Sequence, residues 1–186
     1  MKDITRFEEK EKASELIFDG KVLHLYRDEI YLPDGREAVR EYCRHIGAVC
    51  VVPLTDEGEV ICVRQYRYPL ADAILEIPAG KLDFKTEDPE SAAVRELREE
   101  TGATCRSIRY LGKYFSSPAI LDECIHMFVA EGLEFGDTDF DEDEFIEVVR
   151  IPLGELAAMI SRGEIIDGKT QAAVMRVAYE KASQNR

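Results

Sequence analysis

No apolar run in the sequence approaches the roughly 18 residues of a membrane-spanning helix, and the opening MKDITRFEEKEK holds no apolar stretch of the signal-peptide kind. A soluble, cytoplasmic protein is expected. The five cysteines (Cys43, Cys50, Cys62, Cys105, Cys124) are odd in number and never form a C-x-x-C pair. Cys50 and Cys62 lie inside apolar, strand-like runs, so reduced core thiols are expected rather than a disulfide framework or a zinc site. His24, His45 and His126 show no ligand spacing and read as structural. Positive charge is scarce: 24 Lys and Arg stand against 38 Asp and Glu, a net charge of −14. Such a surface repels nucleic-acid backbones and anionic membranes, which removes both as expected partners. It would also repel a free diphosphate, so an anionic substrate needs local compensation from bound cations and a few placed arginines.

What is present suits one domain of ordinary size, or one with a small appendage: 186 residues, 45% of them apolar. Residues 1–13 are charged and read as loosely ordered or helical. SELIFDGKVLHLYRDEIYL alternates apolar and polar positions around Asp19-Gly20, the pattern of a hairpin, and Glu37 to His45 reads as a third extended stretch. Gly47 to Leu54 is a buried strand with Glu59 to Gln65 as its hairpin partner, and Ala73 to Pro78 is extended. Arg106 to Ser116, Glu123 to Ala130 and Phe145 to Ile151 are strand-like; Leu153 to Ser161 and Thr170 to Ser183 have helical spacing. This order indicates an α+β fold with a mixed sheet between helices.

The stretch GKLDFKTEDPESAAVRELREETGA, Gly80 to Ala103, carries the strongest chemical signal. Asp88 can cap a helix, Pro89 suits its first position and Gly102 can close it. Glu96 and Glu100, four apart, share one face, with Glu99 a turn from Glu96. Ala93, Val94 and Leu97 form the neighbouring stripe, expected to pack inward. Three carboxylates in so small an arc repel one another. Hard divalent cations among them would explain the crowding, because Mg²⁺ takes oxygen ligands and leaves positions open for phosphates.

Gly80 with Arg95-Glu96-Leu97-Arg98-Glu99-Glu100-Thr101-Gly102 resembles the Nudix box, the signature of hydrolases that cleave nucleoside diphosphates linked to another moiety. One residue more than the family pattern separates Gly80 from Glu87. It falls in the loop before Asp88 and leaves the helical register untouched. Arg64-Gln65-Tyr66-Arg67, Leu75-Glu76-Ile77-Pro78-Ala79-Gly80 and Ser117-Pro118 extend the likeness to ADP-ribose pyrophosphatases, although Ala119 stands where glycine is usual.

The resemblance implies a Nudix α/β/α sandwich with a mixed sheet over residues 46–186, preceded by a small N-terminal antiparallel β-sheet in residues 1–45. It implies Mg²⁺ as cofactor, with Mn²⁺ as its stand-in. Glu96 and Glu100 would be direct metal ligands, Glu99 a ligand directly or through water, and the Ala79 carbonyl a further ligand; Arg95 would hold these carboxylates in place. A water-orienting carboxylate would come from the acidic loop, where Glu144 aligns best and Glu142 is its rival. Arg67 is the best candidate for gripping a phosphate or the terminal ribose, ahead of Arg64 and Arg40. Glu76 would bind adenine or ribose hydroxyls or pair with an arginine, and Pro118 would shape the substrate loop. Tyr26, Tyr31 and Tyr66 are candidates for stacking on adenine, against the plainer reading of half-buried packing.

The activity so implied is hydrolysis of ADP-ribose to AMP and ribose 5-phosphate. A GDP-mannose or other nucleotide-sugar diphosphatase is the enzymatic alternative. A Nudix-like ligand-binding regulator without turnover is the other, though such domains typically lose box carboxylates. Residues 14–45 offer strands with one apolar face (Leu16, Phe18, Val22, Leu25, Ile30) and no helix to cover it. A homodimer with exchanged N-terminal sheets is expected, in which residues near Leu25 to Arg40 complete the partner's site.

Overall fold

The computed structural model describes residues 4–138 and 145–184. Contacts divide the chain into two compact units, one of residues up to His45 together with Ser117–Glu123, the other of Ile46–Ser116 with Cys124 onward.

The first unit is a three-stranded antiparallel sheet of β1 (Lys10–Asp19), β2 (His24–Tyr31) and β3 (Glu37–Arg44), in that order. A single 3₁₀ turn at Thr5–Phe7 precedes it. Residues 10–13, expected to be loose or helical, are strand. Lys10 and Glu11 pair with Tyr31 and Ile30, so main-chain pairing overrides the weak strand preference of their charged side chains. Ser117–Glu123 joins this unit through a backbone bond from the Cys43 N–H to the Ile120 carbonyl at 2.9 Å and a bond from the His45 N–H to the Asp122 side-chain carboxylate at 2.6 Å.

The second unit is built on a mixed sheet. Its strands are β4 (Ala48–Leu54), β5 (Glu59–Arg67), β6 (Asp72–Glu76), β7 (Ala79–Lys81), β8 (Ala103–Tyr114), β9 (Ile125–Phe135) and β10 (Ile146–Pro152). The main path runs β10-β5-β4-β9-β8, with β6 paired to β5 and β7 to β4. Among the described strands of this sheet β4 and β9 pair parallel and the other pairs are antiparallel. All seven residues of β4 are buried, as a strand covered on both faces requires.

Because side chains alternate along a strand, one set faces each covering layer. Val49, Val51, Phe128 and Ala130 pack with Ala92, Ala93 and Leu97 of helix α1 (Pro89–Thr101). Cys50, Val52, Met127 and Val129 pack on the other side with Leu156 of α2 (Leu153–Ser161) and Ala173, Val174 and Val177 of α3 (Gly168–Gln184). Helix, sheet and helix thus form the three layers of an α/β/α sandwich. The Cys50 and Cys62 thiols lie in this interior, where burial pushes both up to about 12. All five cysteines are free thiols.

Helix α1 has the punctuation that its sequence carries. The Asp88 carboxylate accepts from the Ser91 N–H at 3.0 Å, which together with the Ser91 hydroxyl holds that acid below its ordinary range. At the other end Gly102 adopts φ +68° and donates to the Arg98 carbonyl at 2.8 Å. A Cβ at Gly102 would meet the Gly136 carbonyl oxygen at 2.4 Å. Left-handed backbone and backbone crowding both act against a side chain there. Gly102→Ala should therefore destabilise the protein by more than about 1 kcal/mol. Thermal unfolding should show this as a midpoint at least roughly 2–4 °C lower than wild type.

Candidate active site

The inward arc of α1 is set by its 3.6-residue period. Ala93 and Leu97 are fully buried, and Glu96 and Glu100 lie on the same side at only 9% and 4% exposure. Val94, expected among the inward residues, is 38% exposed, and Ala92 takes its place. The reason is angular: counting from Ala93, the steps of three and four residues reach Glu96, Leu97 and Glu100, while Val94 is carried toward solvent.

Burying two carboxylates requires compensation. Arg95 supplies it at Glu96. Its Nη1 donates to Glu96 at 2.8 Å and to Glu99 at 3.0 Å, and its Nη2 donates to the Lys81 carbonyl at 3.2 Å. Asp83 and Glu87 each approach the same Nη2 to 3.7 Å. The extra residue in the preceding loop has therefore not carried Glu87 away from the box. Burial works against the Arg95 charge, but Glu96, Glu99 and Asp83 more than offset it and hold its pKa up. Glu100 accepts from the Ala79 N–H at 3.1 Å, which pins the end of the Leu75–Ala79 segment to the helix.

At Gly80 the strand lies directly against a side chain of the helix. A Cβ there would lie 2.0 Å from the Glu96 carboxylate. Only a glycine lets this acid rest against the backbone of β7.

Arg67, at the end of β5, reaches across to Glu76 in β6. Its Nε donates to one carboxylate oxygen at 2.8 Å and its Nη2 to the other at 2.6 Å. Glu76 is 2% exposed and accepts again, from Lys169 Nζ at 2.8 Å. Burial alone would raise the Glu76 carboxyl, yet these two cations hold it below the ordinary carboxylate range. Glu76 thus pairs with an arginine, one of the two roles expected for it. The hydrogen bond to Glu76 in turn raises the Arg67 pKa, with a smaller contribution from the charge of Glu100. That places Arg67 within electrostatic reach of the box.

Arg64 pairs with Glu147 at 3.0 Å on the exposed side of the sheet, a contact worth little in water. Arg40 forms a two-bond pair with Glu9 in the N-terminal sheet. Tyr26 stacks on Tyr42 with ring centres 5.9 Å apart, and the Arg44 guanidinium lies 4.1 Å from the Tyr26 ring centre. Tyr31 and Tyr66 are exposed. Pro118 belongs to the Ser117–Glu123 segment grouped with the N-terminal sheet. Glu142 and Glu144 lie outside the described residues.

Lys169, Asp167 and Thr170 were not singled out from the sequence. Nothing local in the sequence marks Lys169: it stands in the first turn of α3, where the helix dipole disfavours a cation, and its acid partner Glu76 is 93 residues away.

Among the described residues no group of three His, Cys, Asp or Glu side chains is arranged to hold a metal ion. Glu96 and Glu99 are drawn to Arg95 and Glu100 to the Ala79 amide. The donor chemistry nonetheless fits a hard divalent cation: buried carboxylate oxygens against a stretch of strand backbone.

The sandwich, the glycine-seated Glu96 and the arginine-bridged acids define a class that comparison identifies directly. The NUDIX domain model matches residues 44–172. The chain belongs to the Nudix hydrolase family. Members of this family generally use divalent metal ions. An ADP-ribose pyrophosphatase of Bacillus subtilis (strain 168) is 43% identical over 95% of this chain and 96% of its own. The methanol dehydrogenase activator of Bacillus methanolicus is also 43% identical, with the same coverage. A GDP-mannose pyrophosphatase of Yersinia enterocolitica is 36% identical over 80% of this chain and 83% of its own. A solved structure of an ADP compounds hydrolase superposes with a TM-score of 0.85 over 96% of this chain and 97% of its own; at 23% identity it speaks to the fold.

The Gly80 contact is open to a direct test. Its backbone does not require glycine by φ, and the clashing atoms are the end of a flexible side chain. Gly80→Ala should leave the thermal midpoint within about 2 °C of wild type while the Glu96 carboxylate is displaced. Metal-supported hydrolysis should then fall by roughly a hundredfold or more.

Proposed function

We propose that the protein hydrolyses the diphosphate bond of ADP-ribose, with Mg²⁺ as cofactor, giving AMP and ribose 5-phosphate. The observation that carries this reading is the buried Glu96–Glu100 pair seated against Ala79–Gly80, in a chain 43% identical along almost its whole length to an ADP-ribose pyrophosphatase. One water adds across one P–O bond. Its oxygen joins the phosphorus, and the proton on the departing phosphate is restored from solvent.

Glu96, Glu100, Glu99 and the Ala79 carbonyl would hold the ion, with Mn²⁺ able to replace Mg²⁺. When bound, the ion neutralises diphosphate charge and acidifies a coordinated water. Arg95 keeps Glu96 and Glu99 oriented, and its charge limits their mutual repulsion. Glu144 takes the proton of the attacking water, with Glu142 as the competing assignment. Arg67 grips a phosphate or the terminal ribose, its guanidinium oriented by Glu76. Arg64 lends positive charge at the rim, and Pro118 shapes the loop facing the substrate.

The GDP-mannose reading is favoured by the 36% identical Yersinia relative, and the same box would serve it. A ligand-binding role without turnover is disfavoured because all three box carboxylates are retained. Five free thiols agree with a cytoplasmic enzyme.

Chromatographic product analysis with excess Mg²⁺ across ADP-ribose, GDP-mannose and other nucleotide sugars should give ADP-ribose the highest kcat/KM. Preference for GDP-mannose would transfer the assignment to that substrate. Glu96→Gln and Glu100→Gln should each lower kcat by at least about 10²-fold with the fold intact; near-normal turnover in either would refute the metal-site reading. Glu144→Gln should lower kcat more than it changes KM. A larger loss in Glu142→Gln would exchange the two roles.

The assembly reading is supported by β1, all ten residues of which are exposed, including Leu16, Ile17 and Phe18. Val22 and Leu23 in the following turn are exposed too. Such a strand edge and apolar surface favour cover by a second copy. Ile30, in contrast, is buried within the monomer. Light scattering at micromolar concentration should return the mass of a homodimer, and a fully active monomer would overturn this reading.

A further inference from the structure

Lys169 is the second residue of α3, and its side chain is only 12% exposed. Both facts are unfavourable for an ammonium group: the helix dipole opposes it and burial strips its water. Two acids compensate. Glu76 accepts at 2.8 Å and Asp167 lies 3.1 Å away. With Arg67 on the far side of Glu76, the four groups form a neutral cluster of two cations and two anions.

The cluster is fastened into the backbone at both ends. Asp167 accepts from the Thr170 N–H at 2.9 Å and the Thr170 hydroxyl at 2.6 Å. The same hydroxyl oxygen accepts from the Ile77 N–H at 2.9 Å, one residue beyond Glu76. The start of α3 is thereby tied to the segment that leads into Ala79 and Gly80.

A carboxylate and a guanidinium can pair side-on, through Nε and one Nη, or end-on, through both Nη groups. Here the pair is side-on, with Nη1 outside it. Lys169 binds Oε2, the oxygen that also takes the Nη2 bond, and so fixes the rotation of the carboxylate. We propose that Lys169 is a positioning residue for substrate binding: it holds Glu76 in the orientation that presents the Nη1 side of Arg67 to the substrate. The inference rests on Arg67 as the substrate-gripping arginine and assigns that grip a support from the C-terminal helix.

The test is a double-mutant cycle on the full-length, Mg²⁺-loaded enzyme, measuring kcat and KM for ADP-ribose in wild type, Arg67→Ala, Lys169→Met and the double variant. Lys169→Met should raise KM roughly tenfold and change kcat by less than about threefold, the mark of lost binding. In the Arg67→Ala background, Lys169→Met should raise KM by less than about twofold, because the residue it orients is gone. Should Lys169→Met fail to fold, Lys169→Met/Asp167→Asn keeps the cluster neutral and the helix cap intact, and carries the same expectation. An unchanged KM in the Lys169 variant, with Arg67→Ala raising it, would overturn the inference while leaving the role of Arg67 standing. Multiplicative KM effects in the double variant would also overturn it, since Lys169 would then act independently of Arg67. An unchanged KM in Arg67→Ala would instead defeat the reading of Arg67 itself.

Discussion

Two carboxylates cannot be buried four residues apart on one helix unless something answers their charge. Helix α1 does bury Glu96 and Glu100, and much of the second unit is arranged around that constraint. Arg95 is drawn in from the flank to bridge Glu96 and Glu99, and it gathers the loop before the helix through Lys81, Asp83 and Glu87. The Ala79 amide answers Glu100 and so fixes the approach to β7. Gly80 follows from the same demand, because a side chain there would occupy the space of the Glu96 carboxylate. One guanidinium and a few N–H groups are what hold this acid cluster together against its own repulsion.

The parts legible in the sequence were those governed by local rules. Asp88, Pro89 and Gly102 announced the limits of α1, and an unbroken apolar run announced β4 as a strand covered on both faces. The box residues were readable because their spacing is helical and their chemistry redundant. What remained hidden depended on tertiary pairing. Lys10 to Ala13 carry no strand signature, and only the register against β2 makes them one. Val94 is apolar yet faces out, since a stripe of Ala92, Ala93 and Leu97 already fills the space beneath the helix. Lys169 lies 93 residues from Glu76, and no local pattern joins them.

The two ion systems differ in character. Around Arg95 acids outnumber the cation. Around Glu76 the charges balance and are tied to secondary structure at both ends. Breaking a buried pair of the second kind typically costs 3–5 kcal/mol, because the partner left behind is charged and dry. The first gathers several acids around one guanidinium; the second is built to keep its geometry.

The placement of Ser117–Glu123 bears on how the chain acquires its structure. The bond between the His45 N–H and Asp122 spans 77 residues, and Cys43 and Leu121 meet in a parallel bridge across a similar interval. On a ribosome β1 to β3 emerge first, but the segment that completes their unit is made only after α1 and β8. Loop closure over such a distance is entropically costly until the intervening strands have docked. The N-terminal sheet is thus early in synthesis and late in completion, and for that interval its open edge depends on neighbours that do not yet exist.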